Sequence, residues 1–291
     1  MLLSQNFIKD PFVIKELLSV SSINPNDLVV EIGPGRGIIT KELIVRAKEV
    51  IAIEKDLDLY QGLIEKFKDI ENLKILNKDF LNWNLPIQSY KVFSNIPFNI
   101  TAEIIDKLLK SKNKPTEIYF ILQTEAAQKY QGGEIETQSS ILSKIFYDVE
   151  ILGEIDRTAF TPKPQINISF IKFTLKNQNK NLPCLPANWL GQGEMPEGQR
   201  DFDYQQFRDF VIYGFNQWKD NIQNAYKKVF SFNQFKSINK NLKINNLKPS
   251  QLKLDQWLEF FDAYQKFVPI DKKDLVDGFE IKFLKRIRVK K

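Results

Sequence analysis

The sequence predicts an α/β protein, a parallel sheet covered by helices on both faces, followed by a smaller all-α C-terminal domain. Three observations lead there. From residue 27 short apolar runs alternate with helix-like segments, the pattern of strands buried on both faces and joined by covering helices. Beyond residue 200 the strand-like runs stop, and aromatic residues recur at three- and four-residue spacing instead. Between the two lies "KNQNKNLPCLPANWLGQGEMPEGQR" (176–200), rich in Asn, Gln, Pro and Gly and without a period, which reads as a linker or long loop. The expected division is therefore 1–175, 176–200 and 201–291.

Taken in order, "DLVVEIG" (27–33) reads as a buried strand and "IITKELIVRA" (38–47) as a helix. "EVIAIEKD" (49–56) is a second strand, followed by a helix near "LYQGLIEKF" (59–67). "LKILNKDF" (73–80), "SYKVFSN" (89–95) and "TEIYFILQ" (116–123) continue the strands, with a helix across 101–110 between the last two. "VEILGEI" (149–155) and "INISFIKFTL" (166–175) follow with only a Pro-containing loop between them, so they are expected as an antiparallel pair at one edge. In the basic back half, Phe207, Phe210, Val211, Phe215 and Trp218 mark one amphipathic helix, and Trp257, Phe260, Phe261 and Tyr264 mark another. These aromatics read as a small helical core rather than as base-stacking platforms. Trp189, inside the linker, reads as a docked side chain.

Composition narrows the chemistry. Hydrophobic residues make up 43% and charged residues 27% of 291, an ordinary globular balance, and no apolar run approaches a membrane span. The N-terminal "MLLSQNFIKD" is too short and polar for a signal peptide, and the one cysteine, Cys184, permits neither an internal disulfide nor a multi-Cys zinc cluster. A cytoplasmic protein is expected. There are no histidines, so His-based nucleophilic triads and His-ligated zinc are excluded. The net charge of +6 is uneven: residues 1–175 hold 21 Lys+Arg against 23 Asp+Glu, and residues 176–291 hold 21 against 13. A basic back half points to a polyanionic partner, with nucleic acid first.

The site signals cluster at strand ends. "VVEIGPGRGIIT" places Gly33, Gly35 and Gly37 directly after the first strand, where glycines let the backbone turn tightly and approach a ligand. The spacing fits neither the dinucleotide nor the P-loop pattern, so a phosphate-free ligand fits better, and Glu31 suits a cationic cofactor. Glu54, about twenty residues on, stands where α/β proteins place an acid on ribose hydroxyls, with Lys55 beside it. Asp79 and Phe80 end the third strand and Asn95 the fourth. Four successive strands thus end in polar or glycine residues on the rim where open parallel sheets bind ligands. That is the layout of a Rossmann-like, class I S-adenosylmethionine-dependent methyltransferase. Taken alone, "NIPF" (95–98) serves equally as a strand-to-helix turn with a core Phe and as a clamp for a flat heterocycle bearing an amino group.

"LSQNFIKD", "EIGPGRGIIT", "IAIEKD", "NKDFL", "SNIPFNIT" and "RTAFTPKPQINISFIKF" occur in an order that resembles the Erm methyltransferases, which act on adenine N6 of 23S rRNA and confer macrolide–lincosamide–streptogramin B resistance. The match covers roughly residues 3–175. The larger family also includes the small-subunit rRNA adenine dimethyltransferases; Ile96 leans towards the Erm branch, and "FSFNQFKSINKNLKI" (230–244) resembles a shorter C-terminal Erm signature. The resemblance implies that S-adenosylmethionine is the cofactor and S-adenosylhomocysteine the product, with no metal. It places Gln5, Asn6, Gly33, Gly35 and Gly37 around the cofactor, Glu54 on its ribose, Asp79 on its adenine amine and Phe80 against the ring. Asn95, Ile96, Pro97 and Phe98 would hold the target base, and Phe160 would close on its other face. The Asn95 side-chain oxygen and Ile96 carbonyl would accept both N6 hydrogens. Phe98 stands where Tyr is commoner, which keeps the stacking face and loses a hydroxyl. The implied partner is 23S rRNA with an unpaired adenine, met by a monomer before ribosome assembly is complete, without a membrane. The competing readings are a 16S rRNA adenine dimethyltransferase, a non-catalytic RNA or transcription-partner binder on the same fold, and a small-molecule methyltransferase.

Overall fold

A computed structural model describes residues 6–176 and 202–289. Gln5, Cys184, Trp189 and nearly all of the 176–200 segment lie outside the described residues. The chain divides into two compact units, Met1–Gln131 with Phe146–Leu175, and Gly132–Ile145 with Lys176–Lys291. The stretch 132–145, which the sequence reading leaves in the first domain, thus belongs to the second unit.

In the first unit β1 (Phe7–Ile8) and α1 (Pro11–Ser19) precede β2 (Leu28–Ile32), α2 (Ile38–Arg46), β3 (Glu49–Glu54), α3 (Leu57–Lys66) and β4 (Leu73–Asn77). Then come β5 (Lys91–Asn95), α4 (Thr101–Lys110), β6 (Glu117–Gln123) and α5 (Thr124–Gln131). After α6 (Gln138–Lys144) in the other unit, the chain returns with β7 (Tyr147–Ile155), β8 (Phe160–Thr161) and β9 (Ile168–Leu175). The main sheet runs β4-β3-β2-β5-β6-β9-β7. Its first five strands are parallel, and β9 pairs antiparallel with both β6 and β7, so the expected antiparallel pair is present, with β7 at the edge.

Strand character follows from burial. β2 is buried at every position, Glu31 included, as expected of a mainly apolar strand covered on both faces, whereas β4 is an edge strand with no fully buried residue. From β2 the chain builds outward through β3 to β4, then crosses back to lay β5 on the other side of β2. The order therefore reverses between β2 and β5, and the carboxyl ends of these two strands open onto a crevice. On one face Ile14 and Leu18 of α1, Ile39 and Leu43 of α2, and Val29, Val50, Phe93, Tyr119 and Phe170 of the sheet form one apolar cluster. A separate two-stranded sheet, β1 with β8, pairs Ile8 with Phe160.

The second unit adds α7 (Tyr204–Phe215), α8 (Ile222–Tyr226), α9 (Phe232–Leu242), α10 (Leu254–Phe267), α11 (Ile270–Lys273) and α12 (Phe279–Val289) to α6. The expected aromatic core is there: Phe207, Phe210, Val211, Trp257, Phe260, Phe261 and Tyr264 are all buried. The Phe210 ring lies 4.7–6.0 Å from those of Tyr226, Trp257, Phe260, Phe261 and Tyr264. Gly214 admits them, since a Cβ there would fall 2.7–2.9 Å from Tyr226 and Trp257. Trp218 departs from the expectation: α7 ends at Phe215, and Trp218 lies beyond it, 86% exposed. Arg208, buried, and Glu280, partly buried, form an ion pair, while the Asp209 carboxylate accepts the Gly278 and Glu280 N–H groups and ties the start of α12 to α7.

At the amino ends of β5 and β6 a polar knot closes the sheet. Lys91 Nζ lies 3.0 Å from Asp27 and 3.1 Å from Glu117, Lys172 lies 2.8 Å from Glu117, and the Ser22 hydroxyl donates to the Glu117 carboxylate. Burial alone would raise the Glu117 pKa, but the bonds from Lys172, Ser22 and Lys91 outweigh it and bring it down to about 2. A carboxyl depressed on folding contributes stability above its unfolded value near 4.5 and loses it as the pH falls towards 2. Denaturant titrations between pH 5 and pH 2 should therefore show an acid-side loss of stability. That loss should be smaller in Glu117→Gln than in the wild type.

Candidate functional site

The crevice at the β2/β5 reversal is a cleft lined by Gly33 and Gly35 after β2, Glu54 at the end of β3, and Asn95, Ile96, Pro97 and Phe98 at and beyond the end of β5. Asn6 and Phe7, at the start of β1, complete it. The structure thus brings Gly33, Gly35, Glu54 and Asn95 together from the residues that the sequence places at strand ends.

Gly33, Gly35 and Gly37 all adopt positive φ, between 57° and 73°. A Cβ on Gly33 would meet nothing within 4 Å, so that backbone faces open space in the cleft. A Cβ on Gly35 would lie 2.7 Å from the Phe7 ring, and the Arg36 guanidinium covers the same ring at 5.3 Å. The Glu54 carboxylate is buried and accepts the Gly35 N–H at 3.0 Å and the Asp56 N–H at 2.9 Å. An ionised carboxylate offers about four acceptor positions, so two remain for a ligand's hydroxyls. The Asn95 side-chain nitrogen donates to the Asn6 carbonyl at 2.9 Å, which leaves the amide oxygen as the acceptor end. Ile96 is buried, its N–H on the Ile121 carbonyl, while Pro97 and Phe98 are half-buried. Thr101 opens α4 with its hydroxyl on the Pro97 carbonyl.

Other expected residues lie elsewhere. Asp79 and Phe80 stand just beyond β4, outside the cleft lining: Asp79 caps a single 3-10 turn, Phe80–Asn82, by accepting the Leu81 N–H, and pairs with exposed Lys55 at 2.9 Å. The Lys55 ammonium, with the Leu81 N–H, holds the Asp79 carboxyl below the usual carboxylate range, so it is an acceptor at neutral pH. Phe80 is buried. Gly37 is the N-cap of α2, and a Cβ there would collide with Leu63 and Phe67, so it packs α2 against α3.

Two expectations need correction. Glu31 does not line the cleft; it is 1% exposed and accepts the Thr40 hydroxyl at 2.7 Å, with its other oxygen unpartnered. Burial, with Glu54 nearby, pushes its carboxyl up to about 8, which favours the neutral form. Phe160 is 1% exposed within the apolar cluster that also holds Ile8 and Ile14, and does not line the cleft. Phe7, which lines the cleft beneath the Arg36 guanidinium, is a feature the sequence did not single out, although it stands inside "LSQNFIKD".

The cleft fits S-adenosylmethionine: it offers a glycine backbone facing open space, a buried carboxylate with acceptor positions to spare, and two amide side chains. Fold and cleft together define a Rossmann-like S-adenosylmethionine-dependent methyltransferase. The model of the ribosomal RNA adenine dimethylase family matches residues 2–185, and the chain belongs to that family. It is 32% identical over 265 residues to an rRNA adenine N-6-methyltransferase of Limosilactobacillus reuteri, covering 91% of this chain and 96% of that protein. Over 274 residues it is 26% identical to ribosomal RNA small subunit methyltransferase A of Acaryochloris marina, with 89% and 95% covered. Among solved structures, the 23S rRNA methyltransferase ErmE shares the fold at a TM-score of 0.71 and 22% identity, over 90% of this chain and 100% of that one. A dimethyladenosine transferase from Plasmodium falciparum does so at 0.74 and 17%, over 89% and 98%. The chain is thus an enzyme, an S-adenosylmethionine-dependent rRNA adenine methyltransferase. No described helix is long and apolar enough to cross a membrane.

Gly35→Ala should cost stability as well as binding. The substitution forces an L-residue into the left-handed region, at about 1–2 kcal/mol, and displaces the Phe7 ring. A lowered midpoint in denaturant and weaker S-adenosylhomocysteine binding by calorimetry are the expected outcomes.

Proposed function

We propose that this enzyme methylates N6 of an unpaired adenine in 23S rRNA, yielding S-adenosylhomocysteine, and so confers macrolide–lincosamide–streptogramin B resistance. The observation that carries the adenine reading is Asn95: its nitrogen is anchored on the Asn6 carbonyl, so its oxygen is presented as an acceptor beside the half-exposed Phe98 ring. An exocyclic amine is a poor nucleophile because its lone pair is delocalised into the ring. Two acceptors, the Asn95 oxygen and the Ile96 carbonyl, hold its two hydrogens and leave electron density on nitrogen, while Phe98 stacks on the base. Stacking of that kind, worth about 1–3 kcal/mol, offsets part of the cost of taking an adenine out of a helix.

When bound, S-adenosylmethionine supplies a methyl group already activated on a sulfonium, so orientation and electrostatics are what the chain must add. Asn6 and the Gly33–Gly35 backbone line the cofactor, with Gln5 before them. Glu54 accepts the ribose hydroxyls, Asp79 accepts from the adenine amine with Lys55 as its counter-ion, and Phe80 backs the ring. The basic C-terminal half holds RNA phosphates. The enzyme acts as a monomer in the cytoplasm, on RNA not yet fully assembled into a subunit.

Support for 23S RNA comes from Ile96 and from the 230–244 segment. A second reading, 16S rRNA as substrate, is favoured by the small-subunit methyltransferases among the relatives, which align over most of the chain. Expression in a susceptible host followed by mass spectrometry of both rRNAs separates them. N6-methyladenine in 23S RNA with macrolide resistance is expected; modification confined to 16S RNA selects the second reading, and none in either rejects both.

Asn95→Ala should slow single-turnover methyl transfer by about a hundred- to a thousandfold, the cost of losing one oriented polar contact in such a site. Its affinity for S-adenosylhomocysteine should change far less. Equal losses in both would make Asn95 a cofactor ligand only.

A further inference from the structure

We propose that Lys107 is a positioning residue for the adenine end of the cofactor, acting through the backbone of the Phe80–Trp83 turn. The proposal rests on the reading of Asp79 and Phe80 given above. Lys107 lies on α4, whose Ile104, Ile105, Leu108 and Leu109 are buried. Its ammonium donates to the carbonyls of both Phe80 and Trp83, and lies 4.8 Å from the centre of the Phe80 ring.

The turn is thus gripped from both ends. At its start the Asp79 carboxylate accepts the Leu81 N–H, and at its end one cation binds two carbonyls, matching the charge preference of a turn's two ends. Internally it has only the Asn82 N–H on the Asp79 carbonyl and the Trp83 N–H on the Phe80 carbonyl. Among the described residues, two side chains from other elements make hydrogen bonds to residues 79–83: Lys55, to the Asp79 carboxylate, and Lys107, to the backbone. Lys55 is exposed and fixes no backbone atom, so beside the buried Phe80 ring it is Lys107 that ties the backbone of the turn to α4. Burial lowers the Lys107 pKa while Asp79 opposes that shift, as a half-buried cation facing its carboxylate should show. The same helix begins at Thr101, bonded to the Pro97 carbonyl, so α4 connects the proposed target-base loop to the proposed cofactor-adenine turn.

The test is a comparison of two ligands by calorimetry, using the whole chain and Lys107→Met, which keeps length and helix propensity but removes the donors. The ligands are S-adenosylhomocysteine and S-inosylhomocysteine, whose ring carbonyl at position 6 cannot donate to Asp79. Lys107→Met should weaken S-adenosylhomocysteine by about tenfold, the scale of one charge-assisted contact, and S-inosylhomocysteine by less than about twofold. An unchanged S-adenosylhomocysteine affinity, or equal losses for both ligands, would overturn the role, because a merely structural lysine has no reason to distinguish them. If the wild type binds the two ligands equally, the Asp79 assignment fails, and the role of Lys107 fails with it. Should Lys107→Met not fold, Lys107→Gln, which loses the charge and keeps an amide NH2, should show the same preferential loss for S-adenosylhomocysteine in smaller degree, and equal losses for both ligands again overturn the role.

Discussion

The buried carboxylate of Glu54 is the tie on which the site depends. One oxygen takes the N–H of Gly35 and the other that of Asp56, so a single side chain at the end of β3 fixes the glycine loop after β2 and the entry to α3. Because β2 and β3 are neighbours in a sheet whose order reverses beside β2, that tie lies at the mouth of the crevice. Asn95 adds a second cross-link from β5 to the N-terminal segment through the Asn6 carbonyl. The rim is therefore braced by side chains that belong to different strands, each with hydrogen-bonding capacity left over for a ligand.

A chain without histidine and with one cysteine has few ways to do chemistry, and this site uses none of the usual ones. It presents amide and carbonyl acceptors, an aromatic face and a carboxylate already engaged by backbone N–H groups. Such a set orients a weakly basic amine; it does not generate a strong nucleophile. Glu31 shows how burial sorts otherwise similar acids. Glu31 sits in the interior with one oxygen unpartnered, and burial pushes its carboxyl up to about 8, whereas Glu54 is bound by two backbone N–H groups at the cleft.

Much of the first unit was legible because its central strands are short, mainly apolar runs and its ligand-facing residues fall at the ends of those runs. β2, β3, β5 and β6 match the expected spans within a few residues, and Gly33, Gly35, Glu54 and Asn95 converge as the strand order requires. What was not legible depends on long-range contact. β1 and β8 are two residues each and exist only because they pair with one another, so no local period announces them. Phe160 reads as a site aromatic in its motif, yet its strand lays it in the core. Trp218 continues the apolar spacing of α7 by number, but the helix has ended before it, and spacing carries no meaning beyond the last turn. Lys107 is one lysine among many until the carbonyls of a distant turn are brought to it.

The interleaving of the two units has a consequence for vectorial synthesis. β9 pairs with both β6 and β7, so the seven-stranded sheet cannot close until residue 175 has been made. α6 is made well before then, yet its partner α7 begins only at Tyr204. A nascent chain leaving the ribosome therefore carries 132–145 with Ile141 and Leu142 awaiting cover while the sheet is completed. The order of emergence thus sets an interval in which the sheet is finished and this helix is not, and in that interval the half-made chain offers a segment that a holding chaperone could bind.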